Sequence, residues 1–231
     1  MTRSFLTGLA MLLPALMPTP ARAVVLFQLE YFPAIVPAGH TQMRVRFRDD
    51  APVVLIAQSG PDAGLTTTVQ DLVMSVEAIG QPGYKYDLLR GLVNDFGAVY
   101  RVTSLAAKVD HMIVQQGHRV EQWALFLEPA ETRRLIENFA YESDTRRMQT
   151  MYNTLLVNCT NEAIRIIDLS VDYTAAEQVG RFLAKITEFY PNIIRPALIA
   201  RGLLPLDQST DWPELADDPT IADILDHLGA R

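Results

Sequence analysis

One cysteine in 231 residues, Cys159, leaves the chain unable to close an internal disulfide. Histidine is also scarce, with four in all. His111 and His118 stand seven apart, a spacing that does not set two ligands on one helix face as i, i+4 does. No metal site is expected there, and His227 reads as a solvated side chain of a surface helix. The motifs GxSxG, HExxH, GxxxxGK[ST] and GxGxxG are missing. Serine-hydrolase, zincin and nucleotide-binding chemistry therefore have no footing, and no cofactor is expected. A basic excess is lacking too: 20 Lys and Arg face 27 Asp and Glu, for a net charge of −7. Neutralising phosphates takes a basic face, so no nucleic-acid partner is expected.

The first 23 residues, MTRSFLTGLAMLLPALMPTPARA, run from an arginine through an apolar stretch to small residues at Ala21 and Ala23. This is the layout of a secretory signal peptide cleaved after Ala23. The apolar stretch from Phe5 to Met17 is broken by Pro14 and is too short to span a bilayer. No cysteine follows it to carry a lipid, and no later segment is a candidate span. The expectation is an exported, soluble, periplasmic protein without a retained transmembrane anchor. Cleavage removes Arg3 and Arg22 and no acid, which makes the mature chain more acidic still. With 49% hydrophobic residues the remainder can bury one ample core. Residues 24–206 read as one domain and 207–231 as an acidic tail with a short helix.

Along the chain, residues 24–36 read as an extended apolar segment. In GHTQMRVRF, Met43, Val45 and Phe47 alternate with Gln42, Arg44 and Arg46, the period of a strand. VVLIAQ at 53–58 reads as a second strand, paired with the first in an antiparallel hairpin that has His40 at its open end. TTTVQDLVMSVEAI fits a strand or a short helix. VYRVTSL (99–105) has strand propensity, 106–119 suits a helix ending at Gly117, and VEQWALFLE (120–128) is a strand. A helix over 128–143 starts at Pro129 and turns Leu135, Ile136 and Phe139 inward. Another over 175–190 has Val179, Phe182, Leu183 and Ile186 as its inner face. Residues 191–205 read as helical, with Gly202 as the stop. The paired carboxylates Asp49–Asp50 and Asp217–Asp218 read as solvated loop charge.

Cys159 sits at what reads as the first turn of a helix. Asn158 is of the type that caps helix N-termini, and Ala163, Ile166 and Ile167 mark one buried face. Glu162 is placed to reach back to a free N–H in the first turn. Unpaired N–H groups and the positive end of the macrodipole favour a thiolate at such a place, the more so beside a cationic histidine. A free thiol in an oxidising compartment is a liability unless it is buried or used. Free cysteines are also often simply buried small hydrophobes. Three functions stay open on these residues: a thiol nucleophile, a non-catalytic binding domain, and a redox-sensing thiol with no second cysteine to resolve it.

GH heading a strand, QPGYKYDLLRGL, a Trp-bearing strand leading to FLEPAETRRLIENF, YNTLLVNC and YPNIIRPALIARGLL occur in that order. Over about residues 35–205 this pattern resembles the Lnb-type N-terminal periplasmic domain. The most specific part is Tyr152 to Cys159, with Gly39–His40 far upstream. The resemblance implies a circularly permuted papain-like, NlpC-like α+β fold. Its small antiparallel sheet, near 40–47, 53–58 and 120–127, would pack on helices. The permutation puts the histidine strand before the cysteine helix. Carried over residue by residue, it implies Cys159 as nucleophile and His40 as general base. The third polar residue, which orients the imidazole, comes from the strand after the histidine. Gln58 is the candidate by position, not by motif. The activity implied is an exported cysteine hydrolase or acyltransferase using a Cys–His thioester mechanism. Its envelope substrate would be a peptidoglycan peptide or a lipid-linked acyl or amide group.

Overall fold

The computed structural model describes residues 23–32, 39–47, 52–56, 64–83, 86–146, 150–206 and 214–229. The fold is α+β. Six strands form one antiparallel sheet in the order β7-β1-β2-β5-β6-β8. They are β1 (Ala23–Tyr31), β2 (Gly39–Phe47), β5 (Asp71–Ile79), β6 (Phe96–Ser104), β7 (Arg119–Ala124) and β8 (Met151–Tyr152). A separate two-stranded sheet joins β3 (Val53–Ile56) to β4 (Thr66–Val69).

The expected hairpin between 40–47 and 53–58 therefore does not form. The neighbours of β2 are β1 and β5. The reason lies in burial. A strand in a hairpin with one wet face would send Gln42 and Arg44 to water, yet both are fully buried. Helices cover both faces of the sheet, so β2 needs partners that can satisfy its polar side as well as its apolar one.

On one face Phe27, Met43, Val45, Met74, Phe96 and Tyr100 meet α3 (Pro129–Arg146), α4 (Cys159–Ser170) and α6 (Arg195–Ala200). On the other face Val73 and Val120 meet a smaller core. It is supplied by α2 (Leu105–Val109), the π-helical turn Asp110–Gln115 and α7 (Pro219–His227). Gly117, at φ 65°, ends the π turn as the sequence indicated.

The second face carries buried charge. Arg44 Nε donates to Asp71 Oδ1 at 2.6 Å, and its Nη1 donates to Gln122 Oε1 at 3.1 Å and Asp218 Oδ2 at 2.8 Å. Arg46 Nη2 reaches Asp218 Oδ1 at 3.0 Å. Asp218 is also the N-cap of α7, accepting from the Thr220 N–H. It is not a solvated loop charge: one carboxylate starts the C-terminal helix and fastens it to the sheet. Asp49 and Asp50 lie outside the described residues.

Apolar side chains also turn outward. In α5 (Ala175–Leu183), Val179, Phe182 and Leu183 are exposed, Phe182 at 74%, where an inner face was expected. Ile186 lies outside the residues whose side chains are described. The inward side of α5 is the one with small residues. A Cβ on Gly180 would collide with the Ala200 carbonyl, and one on Gly202 with the Glu177 carboxylate. Close approach of α5 to α6 thus selects the Gly180 face and leaves the apolar one outside.

Asp218 should carry a measurable share of stability. Burial alone would raise its pKa, but hydrogen bonds from Thr220, Gln122, Arg44 and Arg46 hold it well below the usual carboxylate range. A depressed folded-state pKa stabilises above the unfolded value of about 3.9 and loses that contribution as pH falls toward the folded value. Asp218→Ala should cost about 2–3 kcal/mol at neutral pH, because fully buried Arg44 keeps Asp71 but loses a partner. Urea unfolding of both proteins checks this, and the gap should close on acidification below about pH 4.

Candidate functional site

Helix α4 begins at Cys159. Asn158 caps it, its Oδ1 accepting from the N–H groups of Thr160 at 2.8 Å and Asn161 at 3.0 Å. Asn161, not Glu162, completes the capping box by accepting from the Asn158 N–H at 2.7 Å. Glu162 is drawn the other way, to the Tyr100 hydroxyl and to Arg165 Nε at 2.8 Å. Ala163, Ile166 and Ile167 are buried as the spacing indicated, and Ile164 widens the stripe. These contacts fix the first turn of α4 against the sheet, and Cys159 is 3% exposed.

The structure brings His40 and Cys159 together across 119 positions of sequence. His40 stands at the start of β2, near enough to the thiol for the two charges to act on each other. Thr160 Oγ1 lies 3.9 Å from the same sulfur. Thr41 Oγ1 also lies 3.3 Å from Thr160 Oγ1, so strand and helix are stitched together one residue from the thiol.

The third member is Glu77. His40 is paired with Glu30 across β1 in the strand register, and the β2–β5 ladder points toward Glu77 on its other side. The Glu30 carboxylate is taken by His118 Nδ1 at 2.5 Å, so His118 is not a free surface histidine. Glu77 Oε1 stands 3.6 Å from His40 Nε2, beyond hydrogen-bond length but within ion-pair range. The same oxygen accepts from Lys108 Nζ at 2.7 Å and from Ser75 Oγ at 2.7 Å. The carboxylate is thereby held still between the imidazole and a buried ammonium group.

Electrostatics in this cluster oppose burial. Desolvation pushes the Cys159 thiol up, but the His40 charge and hydrogen bond, then the Thr41 donors, bring it from 9.0 down to about 7. Desolvation pushes His40 down, and the charges of Glu77 and Cys159 overcome it and raise the imidazole from 6.5 to about 10. For Glu77, desolvation acts upward, while His40 and then Lys108 hold the carboxyl well below its ordinary range. Between about pH 7 and 10 the stable form is thus a thiolate beside an imidazolium. That is the charge state of an activated sulfur nucleophile.

Gln58 lies outside the described residues. The strand that follows His40 in the chain, β3, belongs to the other sheet, whereas the strand beside it in space is β5. Glu77 was missed because residues 66–79 fitted either strand or helix. As a strand they alternate, with Leu72, Met74, Val76 and Ala78 against Asp71, Val73, Ser75 and Glu77. A lone interior carboxylate on such a strand was the available signal. Tyr152 was noticed only as part of a motif. Its burial, then the charge of the nearby thiolate, holds its phenol far above the usual range. Among the described residues no cluster of three or more His, Cys, Asp or Glu could hold a metal ion.

Two titrations probe the pair. Alkylation of Cys159 by iodoacetamide should follow a pKa of about 7 in the intact protein. In His40→Ala it should rise to 9 or above, because burial persists without the compensating charge. In Glu77→Gln the His40 imidazole, followed by NMR, should titrate below its value of about 10 in the intact protein.

Among known proteins, a family model described as the Lnb N-terminal periplasmic domain matches residues 18–192, well over half of the chain. No curated protein and no solved structure matches it. Among the described residues no helix is long and apolar enough to cross a membrane. The Gly39–His40 strand and the Tyr152–Cys159 segment, which meet in the thiol–imidazole site, both fall within the matched residues, and the chain belongs to the Lnb N-terminal periplasmic domain family.

Proposed function

We propose that this protein is an exported cysteine hydrolase or acyltransferase that cleaves an amide or ester bond through an acyl-thioenzyme. The observation that carries the reading is the buried Cys159–His40–Glu77 cluster, in which the thiol is brought to about 7 against the cost of burial. A merely structural cysteine has no use for a protonated imidazole and a clamped carboxylate beside it. The order of His40 before Cys159, on a strand and at a helix start, agrees with a permuted papain-like arrangement. Export follows from the signal-peptide layout of the first 23 residues.

In the mechanism, the Cys159 thiolate attacks the substrate carbonyl carbon and the carbonyl π pair moves to oxygen. The Cys159 N–H, at the start of α4, is placed to donate to that oxyanion. Collapse expels the leaving group, which takes the proton of the His40 imidazolium, and a thioester remains. His40, now neutral, deprotonates water or another acceptor, which releases the acyl group. Glu77 touches no reacting atom. It positions the ring and favours its protonated form.

Of the two envelope substrates, the surroundings favour a lipid-linked acyl or amide group. α1 (Leu88–Leu92) is held to the turn before Cys159 by Thr154 N–H to Gly91 O at 3.1 Å and Asn153 Nδ2 to Leu92 O at 3.0 Å. Around that junction Tyr86, Leu89, Leu92, Val93, Leu155 and Leu156 are exposed. Exposed apolar side chains beside a nucleophile suit an acyl chain better than a peptide stem.

The test is acylation by a p-nitrophenyl acyl ester, read by mass spectrometry of intact protein. Cys159 should gain one acyl group, Cys159→Ala none, and His40→Ala should react about 10²–10⁴-fold more slowly. A thiol that stays unmodified, in a protein whose Cys159→Ala variant keeps full function in the cell, would instead mark a binding or assembly domain.

A further inference from the structure

A carboxylate oxygen offers two lone-pair sites. On Glu77 Oε1 both are taken: Lys108 Nζ donates at 2.7 Å and Ser75 Oγ donates at 2.7 Å. His40 Nε2 approaches the same oxygen but stops at 3.6 Å. That nitrogen is buried and has no hydrogen-bond partner among the described residues. The imidazole thus feels the charge of Glu77 without sharing a proton with it.

Lys108 is buried too, at 6% exposure, and an ammonium group removed from water is costly unless it is paired. α2 fixes where it stands. Ser104 caps that helix, its hydroxyl accepting from the Ala107 N–H at 3.3 Å, and Leu105 and Val109 are buried in the smaller core. The helix therefore delivers a cation to the one carboxylate that also faces the base. The other groups around His40 are accounted for. On β1 the Glu30 carboxylate, opposite His40 in register, is bound by His118 Nδ1 at 2.5 Å. β5 supplies Glu77, and α4 supplies Cys159. The 3-10 turn Pro191–Ile193, also packed on β2, has no titratable residue. How tightly the ring keeps its proton therefore turns on how freely Glu77 can close on it.

We infer that Lys108 is a positioning residue: with Ser75 it holds the Glu77 carboxylate just off the His40 ring, so that the imidazolium can release its proton to the leaving group. The two halves of acylation make opposite demands on His40. Attack needs a protonated ring beside the thiolate. Collapse breaks the bond from the carbonyl carbon to the leaving atom. The electron pair of that bond goes to the leaving atom, which takes the imidazolium proton, and the ring is left neutral. A carboxylate hydrogen-bonded to the ring would serve the first demand and oppose the second. Removing Lys108 would free a lone pair for Nε2 and withdraw a like charge, and both changes make the ring a weaker acid.

The kinetic consequence rests on the acyl-thioenzyme reading above, whereas the titration of His40 does not. p-Nitrophenolate departs without a proton, but the alkoxide of an ethyl ester of the same acid must gain one to leave. Lys108→Met keeps an unbranched chain in the buried position. In this variant acylation of Cys159 by the ethyl ester should fall about 10–10²-fold, while the p-nitrophenyl ester stays within about threefold of the parent. His40, followed by NMR, should hold its proton about tenfold more tightly than in the parent. Both esters slowed by one common factor, or a His40 titration at or below the parental value, would overturn the inference and leave Lys108 as a fastener of α2. Ser75→Ala keeps the ammonium and frees the other lone pair, so it should move both readings the same way by a smaller factor. It decides the matter should Lys108→Met fail to fold, as judged by thermal melting, and an unchanged His40 titration there would be the overturning result. A parent that neither ester acylates, with the His40 proton held more tightly in Lys108→Met, would overturn the acyl-thioenzyme reading while upholding the grip of Lys108 on Glu77.

Discussion

A charge removed from water must be met by another charge, and this requirement shapes the sheet of the protein from one end to the other. β2 is covered on both faces, yet it carries His40, Gln42, Arg44 and Arg46 on the side away from the main core. Each finds a partner outside β2. His40 meets Glu77 on β5, Gln42 donates to Gln28 on β1, and Arg44 binds Asp71 and Asp218. These contacts contribute little net stability when summed against desolvation, but losing one partner leaves an uncompensated buried charge. Strand order follows from them as much as from apolar packing. β5 lies beside β2 where it can supply Glu77 and Asp71, and the tail returns because Asp218 completes the Arg44 shell.

The same rule explains the candidate site. A thiol that is 3% exposed would ordinarily resist ionisation. Here the opposing terms are close at hand: a helix start and an imidazole held protonated by Glu77. Lys108 extends the row, so that anion, cation, anion and cation alternate through Cys159, His40, Glu77 and Lys108. Alternation keeps the buried cluster near neutrality while leaving the sulfur as its anionic end.

Outward-facing apolar side chains are a separate feature. Those on α1 and the turn before Cys159 border the site, whereas those on α5 follow from how closely that helix approaches α6 at Gly180. Similar surface composition thus has two physical origins.

Much of the local structure was legible in the sequence, because short-range chemistry determines it. Asn158 before an apolar i, i+3, i+4 stripe specifies where α4 begins and which side it buries, and Gly117 and Gly202 mark stops through their backbone freedom. The order of His40 and Cys159, and the motif around Tyr152, identified the family. What tertiary structure alone decided was which strand lies beside β2. Alternation in GHTQMRVRF is satisfied equally by a wet face and by a face lined with buried partners. Period alone therefore could not tell that Arg44 meets Asp218, 174 positions away. It could not place Glu77 beside His40 either, since register between strands distant in sequence is set by the packing of their side chains. The inward face of α5 was decided in the same way, by the fit of Gly180 against a backbone carbonyl and not by hydrophobicity.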